Sequence, residues 1–109
     1  RGAERRLRAE DRAVLAWMPD IEDGDAHAGR VETSLLLALA PGHVRADRLA
    51  PGNRTGLSEL MATIRERTVR GVSPNGVLGD PRGASAAEGH DLLERMGDEL
   101  CQAVARWLR

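Results

Sequence analysis

The 109-residue sequence predicts an α/β fold with a mainly parallel sheet. A short, continuously apolar run at 13–18 (AVLAWM) has the composition of a strand buried on both faces, although a helical segment of that length would look similar. Helical segments long enough to cover a sheet follow it. Only two or three short strands can be drawn in this chain, so the sheet would have exposed edges and the sequence resembles half of a fold.

Two helices are predicted in the first half of the chain. Residues 3–12 are polar helix formers with little apolar stripe, which indicates a helix on the surface. An apolar helix is expected over 31–40, and the Pro-Gly pair at 41–42 ends it. Residues 44–53 are expected to form a loop because they carry the turn-forming run Pro-Gly-Asn at 51–53.

Two further helices are predicted in the second half. Residues 57–67 place apolar side chains at helical spacing, and residues 71–83 are rich in Gly and Pro, which favours turns. Ser85 and Glu88 have the spacing of a capping box, in which each side chain accepts a hydrogen bond from the other residue's backbone N–H. One apolar face then runs along a long final helix: Leu92, Leu93, Met96, Leu100, Val104, Trp107 and Leu108.

Composition excludes several classes of function. The 16 basic and 17 acidic residues are interspersed, the net charge is −1 and aromatic residues make up 2%, so neither a basic surface nor a stacking platform for nucleic acid is expected. No apolar run approaches the roughly 20 residues of a membrane span, so we expect no membrane association. The chain has a single cysteine, Cys101, which excludes an internal disulfide and is compatible with a reducing cytoplasm. We expect its thiol to be buried and inert.

The stretch 24–34 (GDAHAGRVETS) holds the candidate chemistry. Within one helix, His27 and Glu32 would point about 140° apart, so the pair can act together only if His27 precedes the helix and Glu32 lies in its first turn. Asp25 could then accept the second imidazole N–H of His27. The alternative is that Glu32 only complements the helix N-terminus and His27 is an exposed loop residue.

No other stretch carries a recognised catalytic or metal-binding motif. The sequence contains no HExxH, CxxC, GxSxG or phosphate-binding glycine loop. We expect His43 and His90, which lie outside this stretch, to be surface residues.

Two segments, 25–39 (DAHAGRVETSLLLAL) and 75–89 (NGVLGDPRGASAAEG), resemble the creatininase family of metal-dependent amidohydrolases. The D-x-H-A-G-x-x-E-T-S and V-L-G-D-P-x-G-A-S patterns occur in the family's order, and the resemblance extends over essentially the whole chain. The second segment is most similar to the branch of the family that works in mycofactocin biosynthesis, whose members trim a modified precursor peptide.

The resemblance implies a three-layer αβα fold with a mainly parallel sheet around two divalent ions per site. The ions would be zinc, iron or manganese, and the sequence leaves their identity open. Glu32 would be a metal ligand, and His27 would orient substrate or shuttle a proton. Asp25 would contact the His27 imidazole and fix its orientation. Asn75, Gly76 and Asp80 would lie in a substrate or subunit-interface loop, the alternative being a tight turn that leads into the last helix.

The family's other metal ligands lie in N-terminal segments that this sequence does not contain. We therefore expect residues 1–109 to be the C-terminal portion of a single domain without its metal-binding half, and to hydrolyse no amide bond alone. The expected partners are a peptide or cyclic amide substrate, the missing N-terminal half and further copies of the chain, since the family commonly forms hexamers. Two alternatives stay open: half of a creatinine-type cyclic amidohydrolase, and a non-catalytic remnant that pairs with a partner chain.

Overall fold

The computed structural model describes residues 2–21 and 24–109, and helices dominate it. The four α-helices are α1 (Gly2–Ala9), α2 (Arg30–Leu39), α3 (Leu57–Val72) and α4 (Ala86–Trp107). Three short 3₁₀ turns accompany them, at Pro41–His43, Ala46–Arg48 and Pro81–Gly83. All four predicted helices are confirmed, with ends shifted by a few residues. None of the helices in the described part of the chain is long and apolar enough to cross a membrane.

The chain divides into two compact units, one of which is formed by the described residues of Arg1–Asp20 together with Glu94–Arg109. This unit contains α1 and the C-terminal part of α4. Helix α1 has no buried residue, and the Arg8 guanidinium lies 3.0 Å from the Glu4 carboxylate one turn away. The predicted surface helix is therefore confirmed.

The strand predicted at 13–18 is wrong in this structure. Residues 12–20 follow an irregular path, and no strand occurs among residues 2–21 and 24–109. Met18, expected to be buried, is 85% exposed, while Trp17 is half-buried. An extended segment is stable only when its backbone groups pair with a neighbouring strand, and the described chain offers none.

The second unit comprises the described residues of Ile21–Leu93 and carries the candidate site. Its centre is the segment 77–79, which receives backbone hydrogen bonds from two sides. On one side the His27 and Leu78 backbones form an isolated antiparallel bridge, with Leu78 N–H donating to the His27 carbonyl at 2.8 Å. On the other side the N–H groups of Gly52 and Asn53 donate to the Gly79 and Val77 carbonyls, each at 3.0 Å. This pairing holds the loop before α2 in place.

The core of this second unit is small and partly polar. Leu60, Leu78 and Leu92 are its buried apolar side chains, and Ser34, Ser73 and Pro81 are completely enclosed. Ser73 Oγ lies 2.6 Å from the Val77 carbonyl oxygen and accepts from Asn53 N–H at 3.3 Å. The buried hydroxyls thus pair with backbone groups, as polar atoms in a core must.

Helices α2 and α4 approach each other at Gly89. A Cβ atom built on Gly89 would overlap the Ser34 carbonyl and crowd the Ala38 side chain. Glycine is required here because only its missing side chain lets the two backbones come this close.

The predicted capping box at the start of α4 is only half formed. Glu88 N–H donates to Ser85 Oγ at 3.1 Å, as expected. The reciprocal bond is wrong, because Ser85 N–H donates instead to Ser34 Oγ at 3.1 Å. The Glu88 carboxylate turns to α2, where it accepts from Arg30 Nε at 2.8 Å and from Ser34 Oγ at 3.0 Å. A local motif has been replaced by a link between two helices.

The remaining two helices differ from prediction in detail. Helix α3 is interrupted at Thr68, whose φ of 65° is not helical, so the predicted end at residue 67 coincides with a kink followed by one more turn. In α4, Leu92 is buried but Leu100 and Trp107 are exposed, and so is Leu108 directly after the helix. Cys101 is also exposed, so the expectation of a buried thiol is wrong. The apolar side chains in the C-terminal part of α4 are therefore not buried by the described residues, although the apolar pattern predicted a covered face.

Candidate active site

His27 and Glu32 meet at the start of α2. His27 lies in the preceding loop and Glu32 in the first helical turn, so the predicted placement of both residues is confirmed. Ala28 between them adopts a left-handed φ of 51°, which turns the chain sharply into the helix. Glu32 Oε2 accepts from Ala28 N–H at 2.6 Å and lies 3.8 Å from His27 Nδ1. The turn therefore brings a carboxylate and an imidazole side by side.

Both side chains of this pair are open to solvent. The exposed fraction is 54% for the His27 side chain and 56% for that of Glu32. The Glu32 carboxylate accepts an N–H at the helix start, which is what its purely structural role would also require. Its other oxygen, Oε1, accepts no hydrogen bond from the described residues. The pair can thus reach a ligand while the turn holds its geometry.

Asp25 does not contact the imidazole as expected. Its two carboxylate oxygens accept from the N–H groups of Arg30 and Val31 in the first turn of α2, at 2.5 and 3.2 Å. The Asp80 N–H also donates to Asp25, at 3.3 Å. The expected hydrogen bond to His27 is therefore wrong in this structure, because unpaired N–H groups at a helix start attract the carboxylate.

Gly79 makes this role of Asp25 structurally possible. Its φ is +149°, and a Cβ atom there would overlap the Asp25 carboxylate. The close passage of the 79–80 backbone lets one carboxylate join two segments that are far apart in sequence. Asp25 thereby holds the loop that carries Asp80 against the start of α2.

A cleft of about 480 Å³ opens beside Glu32. Polar and charged side chains from three segments line it, namely Glu32, Thr33, His43, Arg45, Arg48 and Asn75. The apolar part of the lining comes from Leu36, Val44, Leu49, Val77 and Pro81, with Ala28 and Ala50 at the remaining positions. The cleft therefore has the volume of a small-ligand site and combines an apolar wall with several polar and charged groups.

The loop at 75–83 is a network of turns beside this cleft. Asn75 Oδ1 accepts from Val77 N–H at 3.1 Å, and Gly76 has a φ of +79°. Asn75 also donates to the Pro51 carbonyl at 3.0 Å and still lines the cleft. Asp80 does not line the cleft, because its carboxylate binds Arg82 and Arg54.

The environment of Asp80 is strongly cationic. Hydrogen bonds from the Arg82 side chain, helped by the Arg82 backbone N–H and the charge of Arg54, hold the pKa of the Asp80 carboxyl far below its ordinary value of 3.8, against an opposing effect of burial. Asp80 is consequently a fixed anion of the loop at every physiological pH.

The metal site implied by the family resemblance is not complete among the residues that the structure describes. Among residues 2–21 and 24–109, no group of three or more His, Cys, Asp or Glu side chains is placed to hold a metal ion. Glu32 and His27 offer two ligating groups at most, whereas a two-ion site needs several more. The residues described here therefore do not fit the two ions by themselves.

Three basic residues of the cleft were not predicted as site residues from the sequence. His43 is exposed as expected, yet together with Arg45 and Arg48 it lines the same cleft as Glu32. His90 is exposed and lies outside the cleft lining. The segment 43–48 follows no helical or strand periodicity, so no sequence pattern indicated that it folds against α2.

Comparison with known proteins identifies the family. The Creatininase family model, described as creatinine amidohydrolase, matches residues 3–104. The chain belongs to the creatininase family. This assignment agrees with the two motifs at 25–39 and 75–89, which lie together in the second unit around the start of α2.

The similar curated proteins share one name. The mycofactocin precursor peptide peptidase of Mycobacterium ulcerans (strain Agy99) is 47% identical over 107 residues, covering 98% of this chain and 43% of that protein. The protein of the same name from Mycolicibacterium smegmatis is 43% identical over 102 residues, covering 93% of this chain and 41% of its own length. The chain thus spans about two fifths of these relatives. No solved structure matches it significantly.

Proposed function

We propose that this chain is part of a metal-dependent creatininase-family peptidase that cleaves an amide bond in a modified precursor peptide, as the name of its relatives indicates. The observation that carries the proposal is the pairing of Glu32 with His27 beside the cleft. Amide hydrolysis needs one group that binds an electrophile and one that moves a proton. A carboxylate can do the first and a neighbouring imidazole the second.

Each residue of the pair has a distinct role in this proposal. Glu32, with one carboxylate oxygen held by Ala28 N–H, contributes one ligand to a metal site whose other ligands come from outside the described residues. When bound, the metal supplies a Lewis acid for the carbonyl. His27 carries a proton between solvent and the leaving amine, for which its exposure suits it. Asp25 positions both by holding the start of α2.

The fold of the complete protein belongs to the same proposal. The family resemblance implies a mainly parallel sheet, and we propose that the irregular segment 13–18 becomes a strand of such a sheet when its neighbouring strands are present. The largely exposed Met18 supports this, because an apolar run gains from burial that it does not find among the described residues. We also retain the homo-oligomer as part of the proposal.

The decisive experiment separates the two roles by metal analysis. In the protein at its native length, Glu32→Gln should lower bound metal and peptidase activity together. His27→Ala should lower kcat on the mycofactocin precursor peptide by a factor of about 100 or more, with metal content unchanged. The matched control is His90→Ala, which alters an exposed histidine outside the cleft. Full activity in both site variants would refute the assignment.

A second candidate is hydrolysis of creatinine or another cyclic amide, which the description of the family model favours. The same preparations should be offered creatinine beside the precursor peptide, and turnover of creatinine alone would select this reading. The intact mass of the protein from its native source tests the third reading. A mass of 11.8 kDa would favour a non-catalytic chain that works with a partner, and a mass about twice as large would favour a complete hydrolase.

A further inference from the structure

The loop at 75–83 holds the backbone on both sides of the candidate pair. On one side Leu78 exchanges backbone hydrogen bonds with His27, donating at 2.8 Å and accepting at 3.4 Å. On the other side the Asp80 N–H donates to the Asp25 carboxylate at 3.3 Å, and that carboxylate also accepts two N–H groups of the first turn of α2. A shift of this loop would therefore move both members of the pair.

The Asp80 side chain fastens this loop to a distant segment as well as to its own turn. Locally it accepts from Arg82 N–H at 3.2 Å and from Arg82 Nε at 2.9 Å, which caps the turn that begins at Pro81. It also binds the guanidinium of Arg54, 26 residues earlier. Next to that arginine, Asn53 N–H donates to the carbonyl of residue 77 at 3.0 Å. The ion pair thus closes a backbone pairing that keeps the loop in place.

The effect of Asp80 on the site has to pass through the backbone. Its carboxylate binds two guanidinium groups and does not line the cleft. The side chains of His27 and Glu32 are both more than half exposed, so the backbone that carries them largely decides how they face each other. Because catalysis is sensitive to displacements of about 1 Å, a loosened loop should misplace the pair without touching it.

We propose that Asp80, through its ion pair with Arg54, is a positioning residue that holds His27 and Glu32 in their working arrangement. Asp80 touches neither substrate nor the reacting atoms in this proposal. It acts through the backbone of its loop and through Asp25. The inference rests on the proposed peptidase function, because the pair that Asp80 positions is the one to which that function is assigned.

The test measures the geometry of the pair and its activity separately in the native-length protein. Hydrogen exchange followed by mass spectrometry reports on residues 25–34, where Ala28 N–H is held by Glu32 and two further N–H groups are held by Asp25. In Asp80→Asn this segment should exchange about tenfold faster. The kcat for the precursor peptide should fall by a factor of about ten or more while KM changes little, because binding groups of the cleft are kept.

Variants of Arg54 separate this role from the capping of a turn. Arg54→Gln leaves every contact between Asp80 and Arg82, so it should have no effect if Asp80 only caps its own turn. We expect it to raise exchange and lower kcat as Asp80→Asn does, and Arg54→Lys should recover most of the kcat by restoring the charge. Arg65→Gln is the matched control, because Arg65 is exposed on α3 and forms no ion pair among the described residues. Circular dichroism at the assay temperature checks that each variant is folded.

Each outcome decides the proposal. Wild-type exchange and kcat in Arg54→Gln overturn it, even if Asp80→Asn is impaired, because Asp80 would then serve its own turn alone. A higher KM with unchanged kcat in Asp80→Asn also overturns it, since that result indicates contact with substrate. If the wild type cleaves no peptide while both variants still speed exchange at 25–34, the proposed peptidase is refuted and the link between the loop and the pair stands.

Discussion

Ser34 occupies a fully enclosed position at the centre of the second unit. Its hydroxyl donates to Glu88 and accepts from the Ser85 N–H, so a single oxygen joins α2 to the start of α4. Glu88 is held in turn by Arg30, whose Nε lies 2.8 Å away. The buried Ser34 hydroxyl therefore accepts the hydrogen bond from Ser85 N–H that the Glu88 side chain would accept in a local capping box.

Replacing Ser34 by alanine should destabilise the fold by about 1–3 kcal/mol, because the Ser85 N–H and one Glu88 oxygen lose a buried partner. The free energy of unfolding from urea titration measures the effect. Ser58 lies on the exposed side of α3, so Ser58→Ala is the matched control and should change stability little. Equal stability of the two variants would contradict the role given to Ser34.

At the candidate site, the residues could be selected from the sequence, but not all of their hydrogen-bond partners could. His27, Glu32 and Asp25 could be selected from the sequence because small residues, a carboxylate and an imidazole flank a predicted helix start. One of the donors to Asp25 could not, because the Asp80 N–H belongs to a loop 55 residues away in sequence. No sequence pattern indicated His43, Arg45 or Arg48 as cleft residues, since only folding brings their loop to the cleft.

At the scale of elements, the contact between α2 and α4 depends on a glycine near the start of a helix. Gly89 ordinarily weakens a helix, yet the Ser34 carbonyl occupies the space that a side chain would need. The other glycine of α4, Gly97, faces open space. The two positions therefore offer a comparison within one helix.

Gly89→Ala should cost about 1–3 kcal/mol, since the added methyl group pushes the two helices apart. Gly97→Ala should instead stabilise the chain by about 0.5–1 kcal/mol through helix propensity alone. Thermal unfolding followed by circular dichroism measures both variants. Similar changes of the same sign would show that α2 and α4 do not pack as described.

The ion pairs of Asp80 in the loop at 75–83 should make the stability of the fold depend on pH in the acidic range. Because the folded state lowers the pKa of Asp80, its ionised form stabilises the fold fully above the ordinary value of 3.8, and this contribution falls as the pH drops below that value. The difference in unfolding free energy between wild type and Asp80→Asn should be largest at neutral pH and shrink between about pH 4 and pH 2.

Asp91→Asn provides the control for this experiment, because Asp91 is exposed and makes no ion pair within the described residues. Its unfolding free energy should stay close to that of the wild type across the same range. A difference for Asp80→Asn that does not change with pH would mean that Arg82 and Arg54 do not hold this carboxylate.

For the whole molecule, the small number of buried apolar side chains is the limiting feature. In the described part of the chain only Leu60, Leu78 and Leu92 are buried hydrophobic residues, while Met18, Leu39 and Leu108 are largely exposed. A core of this size can offset little of the conformational entropy lost on folding. We therefore expect the chain on its own to be only marginally stable.

We expect the 109 residues alone to have a free energy of unfolding below about 5 kcal/mol, the lower end of the range for natural domains. Guanidinium titration followed by circular dichroism measures it, and the protein at its native length is the comparison. A cooperative transition with a larger free energy for the 109 residues would show that they form an independent domain.

Local sequence was sufficient for the helices and for the first turn of the candidate site. Periodic apolar residues, the Pro-Gly stop after α2 and the small residues around His27 act within one or two turns of chain, so their effects can be read from neighbouring letters. Tertiary contacts decided the rest. The strand predicted at 13–18 does not form without a neighbouring strand to pair with. The Glu88 carboxylate binds Arg30 and Ser34 instead of the backbone at the start of its own helix. The arginines of the cleft lie in a loop that has no periodic sequence pattern. Each of these depends on atoms brought together from distant parts of the chain, and no spacing along the sequence encodes that meeting.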